Sequence, residues 1–216
     1  MALAQISVKN HANALKNEYA QFRRSITVEH VLKARKSAKR MLGLYDFAPI
    51  SDGATAVILA SSEAAESYTD KPIYVIASGS ATDYITFPFR EDRTGFLATR
   101  LAMKAAVETA KIERKDIRIL EVYDQSTVME MIALEDLGFV ERGTAWKHLY
   151  ENFQDFNGYY ELDGHDVYVN LNGGLKADGN PLGATGGAQI YEVFKQLREE
   201  AAERQVKVDD LSLIHI

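Results

Sequence analysis

Apolar residues along this chain fall into short runs and stripes separated by polar, glycine-bearing turns. Residues 54–60 (ATAVILA) and 73–77 are brief continuous apolar runs, the pattern of strands covered on both faces. Residues 117–122 (IRILEV) alternate apolar and polar, and 167–171 (VYVNL) form a further strand signal. Helical spacing recurs four times. Val28, Val31 and Leu32 behind a Thr27 cap predict a helix reaching Met41. Over 94–111, Leu97, Leu101 and Ala105 share one stripe while Phe96, Met103 and Val107 lie elsewhere, which predicts a helix buried on more than one side. Val128, Met131 and Ile132 follow a Thr127/Glu130 pair with the form of a capping box, and Gly138 supplies a stop. Ile190, Val193, Phe194, Leu197 and Ala201 give the clearest helical period. Outside 27–41 the first fifty residues read as polar and irregular. Strands alternating with helices predict α/β layers on a largely parallel or mixed sheet.

No internal repeat or low-complexity stretch interrupts this order. The polar turn Thr69-Asp70-Lys71-Pro72 is the best boundary, dividing the chain into 1–70 and 71–216. The first residues have neither a basic start nor an apolar core, and no stretch approaches membrane-span length, so a cytoplasmic setting away from membranes is expected. With 216 residues and a net charge of −6, the chain has no sustained basic face, which argues against nucleic acid as a partner. It has no cysteine at all, which excludes disulfides, thiolate zinc sites and thiol catalysis by its own residues.

In open α/β sheets ligands bind beyond the carboxyl ends of strands. Two loops qualify: Tyr123-Asp124-Gln125-Ser126, and the glycine-rich stretch 173–187. If the strands before them are parallel, Tyr123 and Asn180 open onto the same edge. Taken alone, Tyr123 fits a strand-end tyrosine at a core margin better than a catalytic group. The glycine spacing matches neither a dinucleotide fingerprint nor a P-loop, so the glycines are read as permitting close packing rather than cradling phosphate. His11, His30, His148, His165 and His215 show no metal-ligand spacing, and no metal site is expected. Glu135-Asp136 reads as the solvated face of its helix.

The stretch from Asn172 to Gly187, NGGLKADGNPLGATGG, resembles the GGL…GHPLGATG motif of thiolases. Ser51-Asp-Gly-Ala-Thr-Ala56 resembles their SDGAAA segment. Glu121-Val-Tyr-Asp-Gln-Ser126 with Ala133-Leu-Glu-Asp-Leu-Gly-Phe139 is similar to the EVHDCF…ALEDLGF stretch of sterol-carrier-protein-x-type thiolases and archaeal acetyl-CoA acetyltransferases. Lys9-Asn-His11 and Ala20-Gln-Phe-Arg23 resemble the loop-domain region of the same proteins. The resemblance runs through nearly the whole chain in one order. It implies a thiolase-like layered α/β fold, represented in part: the end of a first half with a loop-domain remnant over 1–70, then a shortened C-terminal domain over 71–216. The final residues 211–216 look unlike the family's glycine-rich last hairpin, and a gene fragment is expected.

Motif by motif, the resemblance places Tyr123 at the family's HDC histidine, Gln125 at its cysteine and Asn180 at the GHP histidine. Gly174, Gly179 and Gly183 are the glycines implied to approach a coenzyme A thioester, which is expected as substrate with no permanently bound cofactor. An amide cannot take a proton at neutral pH, and a phenol in water titrates near pKa ~10, so Cys-dependent thiolysis or condensation is not expected. Two readings follow: an acyl-CoA-binding, acetyl-CoA acetyltransferase-like protein without condensing activity, or an enzyme in which Tyr123 acts as acid/base. The aldolase-like homologues of the family, which use tyrosines and no cysteine nucleophile, are the precedent for the second. Family resemblance also implies a homo-oligomer, and a small zinc-ribbon, OB-fold partner.

Overall fold

The structure is a computed structural model that describes residues 1–152, 159–162, 164–207 and 212–214. Its sheet has four short strands in the order β2-β3-β1-β4: β1 (Ile119–Glu121), β2 (Tyr160–Leu162), β3 (His165–Val169) and β4 (Ser212–Ile214). β1 runs parallel to both β3 and β4, with Leu120 opposite Val169 and Leu213, and β2 pairs antiparallel with β3. The α/β expectation and the mixed sheet therefore hold. Val208, Leu211, His215 and Ile216 lie outside the described residues.

The first fifty residues hold more structure than their polarity predicts. Helix α1 (Ala2–Ala14) is built there, and its buried positions include Gln5, Ser7, Lys9, Asn10 and His11 as well as Ala4 and Ile6. No apolar period could reveal it, because much of its inward face is polar. Helix α2 (Val28–Ala38) starts as expected, with Thr27 Oγ1 accepting from His30 N–H at 3.3 Å, and ends at a left-handed Lys39, short of Met41.

The runs 54–60 and 73–77 form no strand: neither pairs with the four-stranded sheet, and Ile58 stands 95% exposed. Continuous apolarity marked surface that wants covering, not a paired strand. Between them lies α3 (Ser62–Ala65), a single turn. Helix α4 (Leu97–Ala110) buries only Met103, and Leu101 is 46% exposed, contrary to burial on several sides.

Helix α5 (Thr127–Asp136) corrects the capping-box reading. Ser126 is its N-cap, Thr127 Oγ1 donates instead to Asp46 Oδ1 at 2.9 Å, and Glu130 turns into the core. Asp136 is likewise not solvated: it is buried, accepting from Arg100 at 2.7 Å and from Phe96 N–H at 2.6 Å. Gly138 takes the left-handed conformation predicted for the helix stop (φ 78°). Helix α6 (Ala145–Asn152) packs beside α1 and β2. The main core gathers Ile6, Leu120, Leu134, Phe139, Leu149 and Val167 between these helices and the sheet.

The glycine-rich stretch contains a one-turn helix α7 (Gly174–Ala177) before α8 (Thr185–Leu197). The predicted stripe of α8 is rotated in fact. Gln189, Glu192, Val193 and Gln196 face inward, while Phe194 is exposed and Ala201 lies beyond the helix. Arg204 explains the polar inner face: it pairs with Glu192 at 3.0 Å and its carbonyl accepts from Gln196. Among the described residues, no helix is long and apolar enough to cross a membrane.

Candidate functional site

Tyr123 leaves the end of β1, and Asn180 closes the loop that follows β3 and α7. The two strands are parallel, so both loops emerge at the carboxyl edge. Asn180 Nδ2 donates to the Tyr123 phenolic oxygen at 3.4 Å, and Thr185 Oγ1 donates to Asn180 Oδ1 at 2.9 Å. Thr185 is buried at the start of α8. It fixes which end of the Asn180 amide faces the tyrosine, since a carbonyl oxygen already holding a donor leaves the NH2 on the other side. The phenolic oxygen is then used as an acceptor, and Asn180 does not take up its O–H.

The SDG segment buttresses this pair. Asn180 N–H donates to Ser51 Oγ at 3.1 Å, the Ser51 hydroxyl donates to Gln21 Oε1 at 2.6 Å, and Ile50 bridges Asn180 backbone to backbone. Gln125 is not gathered into the pair. It is exposed and contributes its carbonyl, which accepts from Ala48 N–H at 2.8 Å.

Of the three glycines, Gly174 (φ 60°) lies against the Asp124 carboxylate, which a Cβ would overlap, and Gly179 (φ 130°) lies against Ser51 and Gln21. Gly183 has open space around it.

Beneath the loops sits a polar network that apolar periodicity does not reveal. Asp124 is fully buried and accepts from Leu175 N–H at 2.7 Å, Lys176 N–H at 3.4 Å and Asn10 Nδ2 at 2.7 Å, tying the Tyr123 loop to α7. Glu130 accepts from Lys9 Nζ at 2.6 Å, Asn10 Nδ2 at 3.1 Å and Asn170 Nδ2 at 3.0 Å. Burial, followed by the Glu130 charge, drives the Asp124 carboxyl well above the usual range. Burial and Glu192 do the same to Glu121, and push Asp178 up to about 7.

A cleft of about 410 Å³ opens beside this framework, with basic Arg24, Arg40 and Lys176 set among Phe22, Leu42, Tyr45 and Phe47. His11 forms part of its wall. Its Nδ1 faces the Arg24 carbonyl at 3.0 Å and so carries the proton, leaving Nε2 as a buried acceptor with no partner among the described residues. Burial, then the Lys176 charge, lowers the His11 pKa to about 4. Burial also lowers that of Lys176 to about 8. Among the described residues, no group of three or more His, Asp or Glu is placed to hold a metal.

This arrangement, two loops at the carboxyl edge of a small parallel-core sheet over a buried polar floor, is that of a thiolase-like domain, and the comparisons agree. The family described as thiolase C-terminal domain-like matches residues 79–216, and the chain belongs to it. It is 46% identical over 213 residues to an acetyl-CoA acetyltransferase of Methanothermobacter thermautotrophicus, covering 99% of this chain and 54% of that protein. It is 31% identical over 218 residues to sterol carrier protein 2 of Oryctolagus cuniculus, covering 98% of this chain and 38% of that one. Among solved structures, a chain of the Ltp2-ChsH2(DUF35) aldolase superposes with a TM-score of 0.76 at 23% identity, over 99% of this chain and 53% of that one. The chain thus spans about half the length or less of these relatives.

Proposed function

We propose that this chain is the acyl-CoA-recognising part of a thiolase-family protein and that, by itself, it does not catalyse Cys-dependent thiolysis or condensation. The observation that carries the reading is the Thr185–Asn180–Tyr123 relay in a chain without cysteine. Where thiol chemistry needs a thiolate and a base, this relay offers an amide and a phenolic O–H. A thioester carbonyl is a fitting acceptor for that O–H. The neighbouring cleft suits the rest of the ligand, with apolar walls for a chain of methylenes and amides and cations for phosphate. Gly174, Gly179 and Gly183 then shape the loop that the thioester approaches, with coenzyme A as substrate moiety and no resident cofactor. The working setting is cytoplasmic, in a homo-oligomer that also engages a zinc-ribbon, OB-fold partner.

Acetoacetyl-CoA thiolysis and calorimetric binding of acetyl-CoA and free coenzyme A test this. The expected result is no thiolysis, binding of both ligands, and a Tyr123→Phe variant that loses about fivefold in affinity for acetyl-CoA while keeping its affinity for free coenzyme A, the worth of one hydrogen bond. Thiolysis by the chain, or equal effects on both ligands, overturns it. The tyrosine-dependent aldolase reading rests on the same relay, because a phenolic O–H can also protonate or steady an enolate. Retro-aldol cleavage of a β-hydroxyacyl-CoA that disappears in Tyr123→Phe would put that reading first.

A further inference from the structure

The segment 47–51 threads between the two loops of the site. Phe47 bridges Ser126, Ala48 N–H donates to the Gln125 carbonyl at 2.8 Å, Ile50 bridges Asn180, and Ser51 Oγ accepts from Asn180 N–H at 3.1 Å. Phe47, Ala48 and Pro49 also wall the 410 Å³ cleft. One apolar stretch therefore runs from the cleft to the Asn180 loop. Its last member, Ile50, is 100% exposed, and Leu182, two residues beyond Asn180, is 72% exposed. Leu182 also takes a left-handed backbone (φ 44°), which is uncommon for a residue with a Cβ. A strained backbone that sets an aliphatic side chain in water gains nothing for folding, and such positions are kept for function. Gly183, next in the chain, has open space around it, so the loop is not obstructed on that side.

We propose that Ile50 and Leu182 form a ledge for the alkyl part of the acyl group, so that the thioesters taken by this site carry apolar acyl chains longer than acetyl. This rests on the reading of Tyr123 and Asn180 as the thioester site. With the carbonyl at that pair and the coenzyme A arm in the cleft, the acyl chain is the part of the ligand left to pass over the residues that flank Asn180. An acetyl group ends beside the carbonyl and leaves both side chains in water. Each added methylene covers more of them, and the gain is the removal of apolar surface from water on both partners.

Calorimetric titration of the complete chain with free coenzyme A and with acetyl-, butyryl-, hexanoyl- and octanoyl-CoA tests this. Full transfer of one methylene out of water is worth about fourfold in binding, and a chain on an open ledge is covered on one side only, so about twofold per methylene is expected, or about 15-fold from butyryl to octanoyl. Ile50→Thr keeps the branched shape with a polar atom in it, and Leu182→Asn suits a left-handed backbone better than leucine while removing the apolar surface. In the double variant the octanoyl-to-butyryl ratio should fall to about threefold or less. The ratio is taken within one protein, so a general loss of affinity cancels. If free coenzyme A and acetyl-CoA bind but affinity does not rise with chain length, or if the double variant keeps the full ratio, the ledge fails and the thioester reading stands. If none of the ligands binds, the two fail together.

Discussion

Removing one partner of the Lys9–Glu130 pair should destabilise the chain more than any surface change. Both side chains are at most 2% exposed, and their 2.6 Å contact joins α1 to α5 across 121 positions of sequence. Lys9→Met keeps the volume of the stem but strands the Glu130 carboxylate among neutral donors, the Asn10 and Asn170 amides and the Tyr160 hydroxyl, and leaves the Val169 carbonyl short of its donor. Breaking such a pair from one side costs about 3–5 kcal/mol, because a charge remains buried without compensation. For a chain of this length that is a fall in melting temperature of about 6–20 °C. Urea denaturation followed by circular dichroism measures it, and the cycle with Glu130→Gln gives the pair term: each single variant should cost at least about 3 kcal/mol, with a coupling of about 2 kcal/mol or more. Single costs below about 1 kcal/mol, or strict additivity, would refute the view that this polar core holds the fold together.

Gly174→Ala should cost more than about 2 kcal/mol, since its Cβ meets the Asp124 carboxylate at a positive φ; chemical denaturation checks it, and a neutral result would mean that the Asp124 tether is slack. His11 makes stability fall in acid. Its folded pKa of about 4 lies below the ordinary 6.5, so above pH 6.5 it is neutral in both states, while below that the unfolded chain binds a proton that the folded chain refuses. Relative to His11→Asn, the chain should lose about 2 kcal/mol between pH 7 and pH 5 in paired denaturation curves, and parallel curves would contradict the assignment.

The order of α/β elements and the proximity of Tyr123 and Asn180 were legible, because strand and helix periods and loop position carry that information. Helix α1 was hidden, since Lys9, Asn10 and His11 are inward-facing residues that polarity marks as outward. Asp136 and Glu130 were misread for the same reason: a carboxylate beside a helix start or on a polar face gives no sign in sequence of the Arg100 or Lys9 that will meet it from a distant segment. The runs 54–60 and 73–77 failed in the opposite direction, their hydrophobicity reporting a need for cover that strand pairing does not meet among the described residues.

These misreadings share a cause that bears on the site. A loop pair presenting single hydrogen-bonding groups can be selective only if those groups do not turn, and turning is prevented here by polar contacts instead of apolar packing. Asp124 fixes the Tyr123 loop to α7, Ser51 fixes the Asn180 backbone, and Thr185 fixes its amide. Each contact spends a buried polar group, which is tolerable only where every such group finds a partner. Lys9, Asn10, Glu130 and Asn170 supply those partners for the floor, so their burial follows from the need to hold Tyr123 and Asn180 in one orientation. Asn10 Oδ1 and Glu121 Oε2 stay without a partner among the described residues, within or beside that floor, while His11 Nε2, likewise without one, belongs to a residue that walls the cleft, where an unsatisfied polar group is of use to a ligand.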